Sequence, residues 1–383
     1  MNNLSEKKRV AFLFGHLHKG GMQKAVSNIS CALPEDIEQY VLFFGSENPE
    51  FNYNAKLVDL NIPGKKDRSI ISRIHNCFIR IKVLQKFIDD NCITTVVSFG
   101  EVASLLNLMT KRARKVISVR VSIDEQFDNL GCYGWGMKQL IRFLYPNADL
   151  VVPVSRALGD QLVEKYGVSR EKIRTIYNLY DIDKIQYLSG ETLTQEEQRV
   201  FEKPTIINVG NLCYQKGQDH LIQAFAKAKK QLPDLQLVII GEGELRDELT
   251  QLGNSLGVSE SIHMLGFKSN PYKYIDKADV FVLTSRFEGF PNALVEAMAC
   301  GIPVISVDCN TGPGEILGDS EYGILIPQFS GGNRSRIETS LCSNIIRLLA
   351  DTNERTSFIS KATDRCRDFS HYKVIPQWYE IMK

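Results

Sequence analysis

Two carboxylates, Glu288 and Glu296, stand in the stretch SRFEGFPNALVEAMACG (residues 285–301). After Pro291 this stretch reads as a helix, with Pro at the first helical position, where its missing N–H is not needed, and Gly301 as the stop. Leu294, Val295, Ala297, Met298 and Ala299 are apolar, so the helix is expected to be buried on most sides. A carboxylate in such a helix is costly unless hydrogen-bonded, and the vicinal hydroxyls of a ribose are suitable donors. A structural salt bridge is the competing reading for Glu296. For Glu288 the S-x-x-E spacing from Ser285 offers a capping box, but Pro291 sets the helix start later than that box needs. The backbone N–H groups of Asn292 and Ala293 can hold an anion at the helix start. One segment thus carries the parts a nucleotide sugar requires: two hydroxyl-binding acids and an anion site.

Other pieces suit the same ligand. In VGNLCYQKGQDHLIQAF (209–225) a strand leads through a loop to a helix, and Lys216 before Gly217 can reach a diphosphate as a point charge. A solvated loop lysine is the plain alternative. GHLHKGGMQKAVSNIS (15–30) follows the first strand, and Gly20 and Gly21 allow close approach of an anion to a helix N-terminus. Neither a P-loop nor a dinucleotide fingerprint is present, so a nicotinamide oxidoreductase is poorly supported. GEGELR (241–246) reads as a turn. Asp181-Ile-Asp183 has D-x-D spacing, yet it leads into a helix, where capping is the expected role. His16-x-His18 has too few neighbours for a metal site, and no metal is expected.

The elements that must position these residues alternate. Strand runs are expected at 10–14, 40–44, 94–99, 115–119, 149–154, 205–210, 235–241, 279–284 and 303–307, with helical patterns between most of them. This alternation implies an α/β protein with parallel sheets covered on both faces. The polar stretch SGETLTQEEQRVFEKP (189–204) is the expected linker. ADLVVPVSR (148–156) and ADVFVLTSR (278–286) echo each other and suggest two similar halves, Rossmann-like domains facing each other with the ligand expected in the cleft, at the carboxyl ends of the strands.

The 383 residues allow two or three domains, and a net charge of +1 gives no sign of nucleic-acid binding. The nine cysteines show no C-x-x-C pair, which points to reduced thiols and a cytoplasmic location. No signal peptide or membrane span is expected. Residues 56–115 are rich in Lys and Arg, and within them SIISRIHNCFIRIKVLQKFID has apolar residues at Ile70, Ile71, Ile74, Phe78, Ile81, Leu84, Phe87 and Ile88. A core helix with a solvated basic face is one reading; contact with an anionic inner-membrane surface is the other.

The opening segment, E-G-F-P-N-A-L-V-E-A-M-A-C-G-I-P-V-I, resembles the E-x7-E segment of the retaining glycosyltransferases of family 4, which have the GT-B fold. The resemblance runs over nearly the whole chain. It includes Gly20–Gly21, VPVSRAL (152–158), YNLYD (177–181), the V-G-x-L…K-G loop (209–217), IIGEGELRDEL (239–249) and MLGF (264–267). It implies two Rossmann-like domains with parallel sheets facing a central cleft: an acceptor domain over 1–188 and a donor domain over 189–367. A C-terminal helix at about 368–383 would pack back on the first. It implies that Glu296 binds the donor ribose and Glu288 the sugar hydroxyls, and that Phe290, Pro291, Asn292 and Ala293 hold sugar or phosphate. Lys216 would meet the diphosphate beside Gly210 and Asn211, Gly20 and Gly21 would meet it from the other domain, and Leu265 and Phe267 would border the base. The chain departs from the family where an arginine is common and Asn211 stands; Arg286 or Arg120 are candidate substitutes. A histidine often found after a strand like KVISV is missing, which leaves His16 or His18 for that role. The expected activity is metal-independent, retaining transfer from a nucleotide sugar, UDP-linked by expectation. The expected acceptor is a saccharide, or a polyprenyl-diphosphate-linked intermediate of bacterial surface polysaccharide such as O-antigen or capsule. No cofactor is expected beyond the donor substrate. A nucleotide-sugar epimerase and a catalytically silent sugar-binding subunit are the alternatives.

Overall fold

The runs rich in Val, Ile and Phe all become parallel strands in the computed structural model, which describes residues 8–15, 21–45, 51–60, 70–328 and 334–383. The chain divides into two units at Leu179/Tyr180 and Ser370/His371. The first unit holds β1 (Lys8–Leu13), β2 (Ile37–Phe43), β3 (Lys56–Asp59), β4 (Thr95–Phe99), β5 (Arg114–Val119) and β6 (Leu150–Pro153), in the order β3-β2-β1-β4-β5-β6. The second holds β7 (Thr205–Val209), β8 (Gln236–Ile240), β9 (Ile262–Gly266), β10 (Val280–Leu283), β11 (Val304–Asp308) and β12 (Ile324–Pro327), in the order β12-β11-β10-β7-β8-β9. Renumbered within each unit, both follow the same doubly wound Rossmann order.

Burial on both faces explains the near-continuous apolar strands. Along β1, Val10 and Phe12 enter one core with Val26, Ile29 and Trp378, while Ala11 and Leu13 enter the other with Leu84, Ile88, Ala103 and Leu106. The period of two sends successive side chains to opposite faces. In the second unit Ile206, Leu237, Ile239, Val280 and Val282 pack against Leu221, Phe225, Leu341 and Ile345. Truncating one of the fully buried aromatics, Phe12 or Trp378 for example, would cost about 3–5 kcal/mol. The helix His371–Met382 lies in the first unit, where the Trp378 ring is 6.3 Å from that of Phe99 and the Ile381 carbonyl accepts from Arg114 at 2.7 Å.

Three expectations need correction. β3, β9 and β12 were not anticipated, and all are short edge strands whose exposed positions weaken the apolar signal. The polar stretch 189–204 is not a linker. Thr194 and Glu197 form a capping box for the helix Gln195–Val200, and Tyr274 and Lys268 both donate to Glu197. The Tyr274 hydrogen bond, with Lys268, holds the Glu197 carboxyl down at about 2. Its polarity serves contacts with partners distant in sequence. Finally, the echoed nonapeptides do not occupy equivalent places: one forms the edge strand β6, the other the interior strand β10. The halves match in strand order, but that echo is not its trace.

Of the helix expected in the basic stretch, Ile70–Asp90 forms; Leu84 and Ile88 are buried, whereas Phe78 is exposed. The side chains of Ile70, Ile71, Arg73 and Ile74 lie outside the described residues. Several cations of the stretch are engaged locally: Lys56 with Glu38 at 2.6 Å and Arg112 with Asp89 at 3.3 Å.

Candidate active site

In the second sheet the chain leaves β7 toward β8 on one side and leaves β10 toward β11 on the other, so a crevice opens where their carboxyl ends adjoin. Lys216 follows β7 and Glu288 follows β10. Lys216 Nζ lies 2.5 Å from Glu288 Oε1, and the Ser285 hydroxyl donates to the same oxygen at 2.7 Å. Ser285 thus holds the carboxylate rather than capping a helix. The Thr311 hydroxyl donates to the Glu288 carbonyl. Glu288 is buried, and a buried carboxylate persists when, as here, it is both paired and hydrogen-bonded.

The loops bearing these two groups are fastened backbone to backbone. The Arg286 N–H donates to the Gln215 carbonyl at 2.7 Å, Gln215 Nε2 to the Phe287 carbonyl at 3.0 Å, and the Thr284 hydroxyl to the Lys216 carbonyl at 3.1 Å. Gly217 makes this approach feasible: its φ is 62°, and a Cβ there would sit 2.3 Å from the Thr284 oxygen. Gly241, after β8, plays the same part beside Gly210, whose oxygen would be 2.0 Å from an added Cβ. The aliphatic stem of Lys216 runs over Gly210.

Arg286 lies beside the site, and its charge is already matched. Its guanidinium donates to both Asp219 oxygens at 2.9 and 2.6 Å and to the Tyr214 carbonyl at 2.7 Å, and it lies 4.3 Å over the Tyr214 ring. Burial pushes the Asp219 carboxyl up, but the Arg286 hydrogen bond and charge outweigh it and hold it below the usual range. Asn211 is exposed at the mouth of the β7 loop, where its carbonyl accepts from Gln218 at 3.0 Å.

The helix carrying Glu296 spans Asn292–Ala299, with Pro291 extended just ahead of it at φ −70° and ψ 105°. Pro291 is therefore the N-cap, one position before the expected one. Gly301 follows the helix at φ 78°. Leu294, Val295, Ala297 and Met298 are fully buried, and Glu296 is 5% exposed, with the Tyr272 hydroxyl donating to Oε1 at 3.3 Å. The Tyr180 hydroxyl donates to Asn292 at 2.6 Å, and the Phe290 ring packs edge-on against Phe369 at 5.2 Å. In the first helical turn Asn292 and Ala293 reach the surface, and their N–H groups have no intrahelical acceptor. Leu265 lies in the edge strand β9, and Phe267, just past it, is exposed, its N–H donating to Glu242 at 3.4 Å. These residues share the carboxyl side of the sheet with Lys216, two strands away.

In the first unit Gly21 opens the helix Gly21–Ala32 after β1; Gly20, His16 and His18 lie outside the described residues. Arg120, after β5, is buried: it donates to Asn178, and its guanidinium lies 5.9 Å over the Phe99 ring. Sequence reasoning missed Glu101, which follows β4 at this sheet's own switch point between β1 and β4. It is buried and accepts from Gln126 at 2.9 Å, and burial pushes its carboxyl up despite that bond. An acid directly after a strand-ending glycine was the available signal; it reads instead as an ordinary helix-dipole residue. Asp181 caps the helix Ile182–Ser189 by accepting from Lys184 at 3.0 Å. Among the described residues no group of three or more His, Cys, Asp or Glu has a metal-holding arrangement, and no helix is long and apolar enough to cross a membrane.

Comparison with known proteins covers most of the chain. Residues 191–365 match the family described as Glycosyl transferases group 1, and residues 19–184 match Glycosyltransferase Family 4. An uncharacterized glycosyltransferase of Methanocaldococcus jannaschii is 33% identical over 62% of this chain and 64% of its own. The N-acetylgalactosamine-N,N'-diacetylbacillosaminyl-diphospho-undecaprenol 4-alpha-N-acetylgalactosaminyltransferase of Campylobacter jejuni is 36% identical over 62% of this chain and 60% of its own. The chain thus spans less than two thirds of the length of these two relatives. The crystal structure of Anabaena HepE in complex with UDP and glucose shares the fold, with a TM-score of 0.76 at 18% identity over 98% of this chain and 99% of that one.

Proposed function

This chain belongs to glycosyltransferase family 4, with the GT-B fold, and on that premise we propose that it transfers a sugar from a nucleotide donor to a saccharide acceptor. The observation that carries this reading is the Lys216–Glu288 pair at the switch point of the second sheet, on the segment that leads into the Glu296 helix. The leaving diphosphate gathers negative charge as the glycosidic bond breaks. A fixed cation and oriented N–H groups in a partly desolvated crevice stabilise such charge more than water does. Lys216 and the N–H groups of Asn292 and Ala293 take that role, without a metal or resident cofactor. Glu296, midway along a buried helix, accepts from the ribose hydroxyls, and Glu288 accepts from the donor sugar. Arg286 acts at one remove, by holding the Lys216 loop.

The UDP and glucose bound by HepE support a UDP-linked donor, and the diphospho-undecaprenol substrate named for the Campylobacter relative supports a lipid-linked acceptor. Retention of the anomeric configuration, with Glu288 positioning the sugar for front-face attack, belongs to the same proposal. The test is a screen of UDP- and GDP-sugars for binding and slow hydrolysis, followed by NMR of the new linkage with a polyprenyl-diphosphate saccharide. Binding and hydrolysis of a UDP-sugar, with an α-product from an α-donor, are expected. Failure of every nucleotide sugar to bind would remove the reading.

A further inference from the structure

The helix Gly131–Leu144 (GCYGWGMKQLIRFL) turns large apolar side chains to solvent. Its inner stripe is tight. A Cβ on Gly134 would sit 1.9 Å from the Phe127 carbonyl, and Ile141 is fully buried. On the opposite side, at about 100° per residue, Cys132, Tyr133, Gly136, Leu140 and Phe143 share one arc, with Trp135 on its flank. Tyr133, Trp135, Leu140 and Phe143 are 54, 66, 42 and 76% exposed. Single exposed apolar residues need no explanation, but a contiguous arc marks an interaction site.

The chemistry around the arc selects its partner. Trp and Tyr combine an apolar ring with a polar group, the combination that seats at the boundary of headgroups and acyl chains. The helix Ile70–Asp90 turns Phe78, Lys82 and Lys86 outward at helical spacing, and among the described residues neither lysine forms an ion pair. This helix and Gly131–Leu144 both pack beside Glu101–Leu108. The steps from β3 to β4, β4 to β5 and β5 to β6 run one way along the sheet, so right-handed crossovers place all three helices on one face. The aromatic arc and the cationic stripe therefore share a side. That charge complements an anionic headgroup layer.

We infer that this face of the first unit docks on an anionic lipid bilayer, with Gly131–Leu144 lying in the interface plane. Leu140, Phe143 and Trp135 enter the boundary of the acyl region, and Lys82 and Lys86 meet headgroups. The inference rests on the lipid-linked acceptor proposed above, and it moves the main contact to a helix outside the basic stretch 56–115.

The chain carries a built-in reporter. Of its two tryptophans, Trp378 is fully buried, so lipid-induced changes in emission belong to Trp135. The full-length protein is mixed with phosphatidylglycerol–phosphatidylethanolamine vesicles, with and without acyl-chain bromines, and with phosphatidylcholine vesicles. The expected result is a blue shift and bromine quenching with the anionic vesicles and a weaker response with phosphatidylcholine. Leu140→Ser/Phe143→Ser should lower the vesicle partition coefficient by about tenfold or more, and Lys82→Glu/Lys86→Glu should remove the preference for anionic lipid. Both variants should bind UDP as the parent does. Absence of quenching overturns the inference. So does a blue shift that grows with protein concentration in lipid-free buffer while sedimentation shows a dimer, which would assign the arc to a second copy. Donor hydrolysis is read separately: its loss in the parent protein counts against the enzymatic reading, and loss of quenching counts against the lipid contact.

Discussion

At the switch point of the second sheet, β7 and β10 bring Lys216 and Glu288 together as an ion pair within 2.5 Å. At the corresponding point of the first sheet, between β1 and β4, the Met22 side chain lies over Gly100, and next to it stands Glu101, a desolvated acid with an amide partner, Gln126. Strand order is the same in both units. Topology supplies a crevice twice, and the residues at the strand ends decide what each can meet. A preset cation suits a diphosphate; a carboxyl pushed toward its neutral form does not need an ion at all.

The comparison breaks most visibly at Lys216. Lys216→Ala should lower kcat/KM for transfer by roughly 100- to 1000-fold, as loss of a charge-stabilising group does. It also strands Glu288, at a stability cost of up to about 3 kcal/mol. Lys216→Ala/Glu288→Gln should regain much of that stability, read by thermal melting, while remaining inactive. Gly217→Ala comes next. A Cβ 2.3 Å from a carbonyl, at a φ that disfavours side chains, should cost at least about 2 kcal/mol and raise KM for the donor as the Lys216 loop shifts.

Two smaller effects sharpen the contrast through pH. Asp219 is held below its ordinary pKa by Arg286, against the effect of burial, so its contribution is present above the ordinary carboxylate range and is lost as pH falls through the lowered value. Asp219→Asn should cost about 1–2 kcal/mol at neutral pH and progressively less in acid. Glu101 has the opposite sign. Burial raises its pKa, so the stability it contributes is full below the ordinary value and is lost as pH rises through the raised one. Glu101→Gln should therefore melt slightly higher than the parent at neutral pH, with the gain vanishing in acid. Paired melting curves across pH check both signs.

The interior strands were legible because burial on both faces leaves long apolar runs. The edge strands β3, β9 and β12 were not, because KLVD, IHMLG and ILIP are short and their outer positions relax that demand; the edge strand β6, LVVP, is apolar throughout and was legible. Glu288 and Glu296 were legible as acids in an apolar context. The partnership of Glu288 with Lys216 was not, since it depends on two loops far apart in sequence and fastened by backbone contacts. The engagement of Arg286 with Asp219 was hidden for the same reason. Glu101 was overlooked because an acid in the first turn of a helix looks ordinary until its burial is known.

Calorimetric titration of UDP into the parent protein, Lys216→Ala and Glu101→Gln tests the assignment of the nucleotide to the second unit. The account predicts binding by the parent, affinity weakened by about tenfold or more in Lys216→Ala, and parent-like affinity in Glu101→Gln. Parent-like affinity in Lys216→Ala, or an equal loss in Glu101→Gln, would contradict it.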